Sequence, residues 1–294
     1  EIQFVLVSLI IVFFIGLLDD LLSLTPSRKL IGLFSSIFVL MFLGDLQIKS
    51  FHNLFGIQDF PIIIVNFGTF LLELPDLIAI LFTLFVAVII TNAYNLIDGI
   101  DGLAGGLGVI SSFVFGLIFL FNDDAQYAIL SFTLLGALLA FLKYNFNPAS
   151  IFMGDTGSLV IGLIFSILSI RLINEGVNIP NDQQYVNKGP FISIVILAIP
   201  LFDTFRVFFI RIFSGYHPLR PDRNHIHHAL LDLGLGHKKS TLILYIYSVV
   251  IAFLSYFMID MSLGLSIFLL SIIVLGSMSI PFILIRIKKT KSEK

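Results

Sequence analysis

Long apolar runs recur along this chain, and they limit its fold more than any other feature. They lie near residues 2–18, 29–44, 75–92, 102–121, 125–142, 157–174, 190–212, 240–259 and 263–286. A bilayer core is about 30 Å thick, so a spanning helix needs roughly 20 mostly apolar residues. The run at 29–44 is short for a span. Backbone polar groups must find internal partners in lipid, which makes helices the expected state of every run. The alternation of a membrane β-barrel is absent. The expected fold is all-α: a polytopic transmembrane bundle with about nine helices visible, forming one integral membrane domain over 1–294.

Composition removes the soluble alternative. Of 294 residues, 57% are hydrophobic and 12% charged, with a mean hydropathy of +1.04. A soluble domain carries about a quarter charged residues. Net charge is -2, so bulk charge implies no nucleic-acid partner. The absence of cysteine excludes disulfides, thiolate nucleophiles and Cys-ligated metals. The chain opens Glu1-Ile2-Gln3 and turns apolar at once, without the charged start or cleavage site of a signal peptide. The expectation is that further membrane segments precede residue 1.

Lys and Arg set the expected orientation. The loops at 19–28, 93–101, 143–156 and 213–239, the tail 287–294 and their flanking helix ends hold Arg28, Lys29, Lys143, Arg211, Arg220, Arg223, Lys238, Lys239, Arg286, Lys288, Lys289, Lys291 and Lys294. The opposite set of loops holds only Lys49 and Lys188. The first set is therefore expected to face the cytoplasm. Segment 45–74 is too polar and broken to span, and predicts a small extracytoplasmic hairpin lying on the membrane. The basic tail reads equally as a membrane-surface anchor or a solvated end.

Acidic residues in distinctive contexts fall in the cytoplasmic set. Asp19-Asp20 closes the first run, and Arg28 and Lys29 follow. Adjacent carboxylates at a membrane boundary are costly unless paired or bound to a cation. A solvated helix end is the plainer reading. Asn92, Asn95, Asp98 and Asp101 recur every three residues, which on a helix would stack four oxygen-bearing side chains. Gly99 and Gly102 instead suggest a helix break. Either way oxygen ligands converge near a helix terminus, which suits Mg²⁺ and phosphate; the alternative is an Asn/Asp-capped turn. Phe152-Met-Gly-Asp155-Thr-Gly-Ser158 precedes a run, so Asp155 reads as a metal ligand or a helix cap. Phe152 reads as a base-stacking ring or as apolar packing.

His217, His225, His227 and His228 lie in a twelve-residue stretch beside Arg220 and Arg223. Such a cluster suggests phosphate donors or a Zn²⁺ site. Asp203 and Arg206, one helical turn apart inside the run 190–212, are expected to pair for structure. Arg171 is expected to snorkel.

These blocks, in this order from Gly16 to about Lys239, resemble the polyprenyl-phosphate N-acetylhexosamine-1-phosphate transferase family, also called the glycosyltransferase 4 family. The loop Pro221-Asp-Arg-Asn-His-Ile-His-His228 resembles the branch that moves GlcNAc-1-phosphate from UDP-GlcNAc to undecaprenyl phosphate. That branch starts O-antigen, enterobacterial common antigen or the teichoic acid linkage unit. The peptidoglycan branch, which transfers phospho-MurNAc-pentapeptide, carries three consecutive histidines followed by Phe-Glu, and is the runner-up. The resemblance implies about eleven helices in the whole protein, with about nine visible here.

It also implies roles. Asp98 and Asp155 would hold Mg²⁺ or Mn²⁺, with Asp98 also catalytic. Asp19 or Asp20 would deprotonate or orient the polyprenyl phosphate. Asn92, Asn95, Asp101, Phe152, Arg223, His225, His227 and His228 would bind the donor, Asp101 and Phe152 at its uracil. The implied partners are a UDP-N-acetylhexosamine, a polyprenyl phosphate, the lipid bilayer and a second copy of the chain. The implied place is a bacterial plasma membrane, with the active site facing the cytoplasm. Among other classes, a transporter would place its polar residues at the bilayer midplane, often in two repeats. A CDP-alcohol phosphotransferase spaces its Asp/Gly/Arg motif differently. An intramembrane metalloprotease would need His-Glu-x-x-His, which is absent.

Overall fold

A computed structural model of the protein describes residues 2–50, 63–66, 71–74, 77–177, 187–216 and 224–292. In chain order its elements are α1 (Ile2–Leu22), α2 (Pro26–Gly44), β1 (Ile63–Asn66), β2 (Leu71–Leu74), α3 (Leu77–Ile97), α4 (Leu103–Phe121), α5 (Ala125–Asn145), α6 (Gly154–Glu175), α7 (Gly189–Ile196), α8 (Ala198–Phe213), α9 (Ile226–Asp232), α10 (His237–Tyr256) and α11 (Leu263–Ser292). Among the described residues eight helices are long and apolar enough to cross a bilayer: α1 to α6, α10 and α11. The chain is a multi-pass membrane protein with an all-helical core.

The run at 190–212 is not one rod. It divides into α7 and α8, which meet at an angle of 83°. Pro200 supplies the cause. It has no N–H to give the Ile196 carbonyl, and its ring would crowd that group, so the helix restarts with Pro200 in its first turn. The expected loop at 213–239 also changes: it contains the short helix α9, and α10 begins at His237. In the segment 45–74, β1 and β2 pair antiparallel with Ile63 opposite Leu74, which is a hairpin as expected.

Helix α6 sits at the centre, packed against α1 and α3, while α1 also packs on α2 and α4 on α5. Lipid tails are as apolar as Leu, so close fit and interhelical hydrogen bonds must hold such a bundle. Ser8 Oγ donates to the Ser36 carbonyl (2.9 Å) and Ser36 Oγ donates back to that of Ser8 (3.1 Å), tying α1 to α2. Ser166 Oγ donates to the Ala87 carbonyl (3.1 Å), tying α6 to α3. At Gly16 the backbones of α1 and α6 nearly touch: a Cβ there would lie 2.5 Å from Thr156 Cα. Large apolar side chains such as Phe14, Phe42, Phe85, Phe253 and Phe268 point outward, as lipid contact requires.

Candidate active site

The close contact of α1 with α6 brings Asp19 and Asp20 to the first turn of α6. Asp20 Oδ1 accepts the Asp155 N–H (2.8 Å), and Oδ2 accepts the Thr156 N–H (3.0 Å) and hydroxyl (2.5 Å). Those N–H groups have no partner within their own helix, and a carboxylate also suits the positive end of the helix dipole. Asp20 therefore caps α6 from another helix. Gly154, at φ +63°, leaves the room: a Cβ there would come within 2.9 Å of Asp20 Oδ2.

Asp19 does different work. Its Oδ1 accepts the Leu24 N–H (2.7 Å), and its Oδ2 lies 2.9 Å from Lys29 Nζ. Lys29 Nζ also lies 2.6 Å from Asp155 Oδ2. The other Asp155 oxygen accepts from Asn95 Nδ2 (2.6 Å), which also reaches Ser158 Oγ (2.8 Å). Residues of α1, α2, α3 and α6 thus meet in one knot, with two aspartates on a single ammonium.

Asp98 follows directly on α3 and faces this knot. Burial pushes its carboxyl up to about 6, and the negative charge of Asp155 adds to the rise. Its side chain accepts no hydrogen bond among the described residues. An anion so placed is short of positive charge. Asp98 and Asp155 are therefore chemically suited to a hard divalent cation. Among the described residues no group of three or more His, Asp or Glu forms a ready cage. Mg²⁺ commonly completes its shell with water and substrate phosphate, so two carboxylates fit that mode.

Asp101 lies past the helix break and stitches loops together. Its Oδ2 accepts from Asn147 Nδ2 (2.7 Å) and the Ala149 N–H (3.2 Å), and Oδ1 lies 3.2 Å from His237 Nδ1. Burial works to raise its pKa, but these donors outweigh it and hold the carboxyl below its ordinary value. Asn145 ties the same loops, accepting the Gly102 N–H (3.0 Å) and donating to the Ile151 carbonyl (2.9 Å). Phe152 beside them is 79% exposed, with its ring face available.

His227 and His228 arrive on α9, with His225 just before it. His227 packs directly on Gly99, where any Cβ would overlap its Nε2. Only glycine at 99 admits the ring, which sets it beside Asp98. Burial drives the His227 pKa down to about 3, with His228 adding to the effect, so the ring is neutral at physiological pH. Its Nδ1 has no hydrogen-bond partner among the described residues. The His225 and His227 rings lie parallel at 5.8 Å, and the His227 and His228 rings lie 4.3 Å apart.

The family model of glycosyl transferase family 4 matches residues 2–173, more than half of the chain. The chain belongs to glycosyl transferase family 4. It is 34% identical over 251 residues to the decaprenyl-phosphate N-acetylglucosaminephosphotransferase of Mycolicibacterium smegmatis, across 81% of this chain and 59% of that one. It is 38% identical over 186 residues to the probable undecaprenyl-phosphate N-acetylglucosaminyl 1-phosphate transferase of Bacillus subtilis, across 63% and 50%. It is 32% identical over 232 residues to the undecaprenyl-phosphate alpha-N-acetylglucosaminyl 1-phosphate transferase of Escherichia coli K12, across 77% and 57%. The chain thus spans 50–59% of the length of these curated relatives.

In this member of glycosyl transferase family 4, the structure gathers Asp19, Asp20, Asn95, Asp98 and Asp155. It sets His227 against the loop of Asp98. Asn92 stands apart: its Nδ2 donates to the Val88 carbonyl one turn back (2.8 Å). Arg223 lies outside the described residues, as do His217 and Arg220. Two participants went unnoticed in the sequence. Lys29 reads there only as a nearby balancing charge, and its spacing of ten from Asp19 gives no hint that it reaches Asp155. Asp203 reads only as the partner of Arg206, yet it holds the histidine loop as well. Arg171 does more than snorkel: it lies 2.8 Å from Asp124 and 3.2 Å from Glu175, over the ring of Tyr127.

Proposed function

We propose that the protein transfers N-acetylglucosamine-1-phosphate from UDP-GlcNAc to undecaprenyl phosphate, releasing UMP, as the first membrane step of a cell-envelope polysaccharide. The observation that carries this reading is the knot of Asp19, Lys29, Asn95 and Asp155 facing Asp98 at a helix terminus. The activities for which the relatives are named support the same reaction. Phosphoryl transfer asks a protein chiefly for positioning and charge neutralisation, and an oxygen-rich, lysine-bearing site at the membrane boundary offers both.

In this reading an oxygen of the polyprenyl phosphate attacks the β-phosphorus of the donor. The new P–O bond forms as the bond to the bridging oxygen breaks, and UMP leaves. Asp19, whose Oδ2 lies beside Lys29 Nζ, orients the acceptor phosphate and takes its proton where one is present. Asp20, engaged by the first turn of α6, keeps Asp155 aligned. Asp98 and Asp155 would hold Mg²⁺ or Mn²⁺, which supplies charge neutralisation for the pyrophosphate when bound. Lys29 contributes fixed positive charge, and Asn95 donates to Asp155. His225, His227, His228 and Arg223 bind the donor phosphates or sugar. Phe152 stacks on uracil. Asp101 keeps one acceptor site on Oδ1 for the base, since its other contacts use three. The basic loops support a cytoplasmic position for this face, on the side where UDP-sugars are found.

The test uses the full-length protein in detergent with undecaprenyl phosphate, Mg²⁺ and radiolabelled UDP-GlcNAc. Metal-dependent entry of label into the organic phase with release of UMP is the expected result. Label entering only from UDP-MurNAc-pentapeptide would move the protein to the peptidoglycan branch. Transfer from neither donor would remove this substrate assignment.

A further inference from the structure

Asp203 has no part in the reaction as drawn, yet it is 1% exposed and fully engaged. It lies on α8, just beyond the break that follows α7. Its Oδ1 accepts the Ile226 N–H (2.9 Å) and an N–H of Arg206 (3.2 Å). Its Oδ2 lies 2.9 Å from Nδ1 of His225, a ring only 5% exposed. Arg206 donates further to the Asn224 carbonyl, and its guanidinium lies 4.0 Å from the Phe282 ring centroid on α11. One carboxylate therefore holds the start of α9, the side chain of His225 just before it and the arginine that holds Asn224.

We propose that Asp203 and His225 form a positioning dyad that fixes the proton of the histidine and the register of His225 to His228. The reasoning is about hydrogens. Oδ1 already accepts from two N–H groups, so the carboxylate faces His225 as an acceptor through Oδ2. Nδ1 must then carry the proton. This leaves Nε2 as the nitrogen free to meet a ligand. Neutral His225 presents a lone pair there; the imidazolium presents a donor, beside a carboxylate that balances its charge. The opposite tautomer, with its proton on Nε2, is excluded while Asp203 stays ionised. The register follows from the same contacts. His225 stacks on His227, and His227 fits only against Gly99 beside Asp98. A shift at Asp203 is thereby passed through two rings to the loop of the acids. Asp203 acts through His225 and touches no substrate, so it is a positioning residue. Its effect on transfer rests on the function proposed above; its effect on the tautomer does not.

The informative variant is Asp203→Asn. The amide keeps its size, and its oxygen can still accept from Ile226 and Arg206. Its NH₂ then faces Nδ1, which must become an acceptor, and the proton moves to Nε2. The experiment labels the histidines of the full-length protein with ¹⁵N and reads the ring nitrogens, using His225→Gln to assign the signal. The expected result is a protonated Nδ1 in the wild type and a protonated Nε2 in Asp203→Asn. Transfer should fall by about 10- to 100-fold, the scale on which carboxylates that orient functional histidines act. The double variant Asp203→Asn/His225→Gln should be no slower than His225→Gln alone.

Several outcomes would overturn the dyad. One is a wild-type His225 protonated only on Nε2. Another is a tautomer unchanged by Asp203→Asn. A third is additive losses in the double variant, which would mark Asp203 as a structural brace. Should the wild type transfer nothing from any UDP-sugar, the proposed function fails, and the nitrogen signals still decide the dyad.

Discussion

At one end of α6 a lysine lies between two aspartates; at the other an arginine lies between an aspartate and a glutamate. Lys29 Nζ is 2.9 Å from Asp19 and 2.6 Å from Asp155. Arg171 is 2.8 Å from Asp124 and 3.2 Å from Glu175. The surroundings differ. Around Arg171 the acids are Glu175 on α6 itself and Asp124 from the turn between α4 and α5, and Tyr127 covers the guanidinium at 5.1 Å. Around Lys29, itself on α2, the partners come from two other helices, α1 and α6, Asp98 adds a further carboxylate, and no other cation joins among the described residues. A satisfied ion cluster fastens a fold. An anionic cluster left short of positive charge can bind a cation or a cation–phosphate pair, and the helices must be held together against its repulsion.

The sharpest way to break this comparison is to neutralise one acid at each end. Asp155→Asn and Asp19→Asn should each lower transfer by about 1,000-fold, measured as label entering lipid, while the protein stays folded in detergent. Asp124→Asn should leave transfer within about threefold. Full activity in Asp155→Asn would remove that residue from the site.

A second test reads the unmet charge directly. The folded Asp98 carboxyl titrates near 6, against an ordinary value of 3.8. Well below pH 3.8 both folded and unfolded forms are protonated and nothing is lost. As pH rises through 4 to 6 the unfolded chain ionises first, so stability falls, by up to about 3 kcal/mol. Chelator-treated protein should show this fall, and Asp98→Asn should flatten it. Equal slopes in both proteins would remove the claim.

Smaller effects belong to the far end. Arg171→Met should lower the unfolding free energy by about 1–2 kcal/mol, since the pair is only partly buried, without altering transfer. Asp123 holds φ +60° in the turn beside it. Asp123→Gly should stabilise by about 0.5 kcal/mol, seen as a slightly higher midpoint and unchanged activity.

Much of this was legible in the sequence. Hydropathy located the helices because a span must be apolar along its whole length, and Gly99 and Gly102 marked the end of α3. The hairpin in 45–74 and the order of the acidic blocks were legible too. The 83° break was less so. Only Pro200 hints at it, and proline often sits within a first turn without consequence. Lys29 and Asp203 were hidden for a different reason. Their partners Asp155 and His225 are distant along the chain, and only helix packing brings them together. Asn92 keeps the three-residue spacing of its neighbours yet bonds to its own helix, because spacing sets a face and not what that face meets.

The close approach at Gly16 has a consequence in time. Asp19, Lys29, Asn95, Asp98 and Asp155 all belong to α1–α3 and the start of α6, while His225 to His228 come about seventy residues later. Ribosomes add roughly 5–20 residues per second. The knot of acids can therefore close, with α1 seated on α6, several seconds before the histidines are made. The last part of the site is delivered to a surface already assembled, and Gly99 is the notch that receives it.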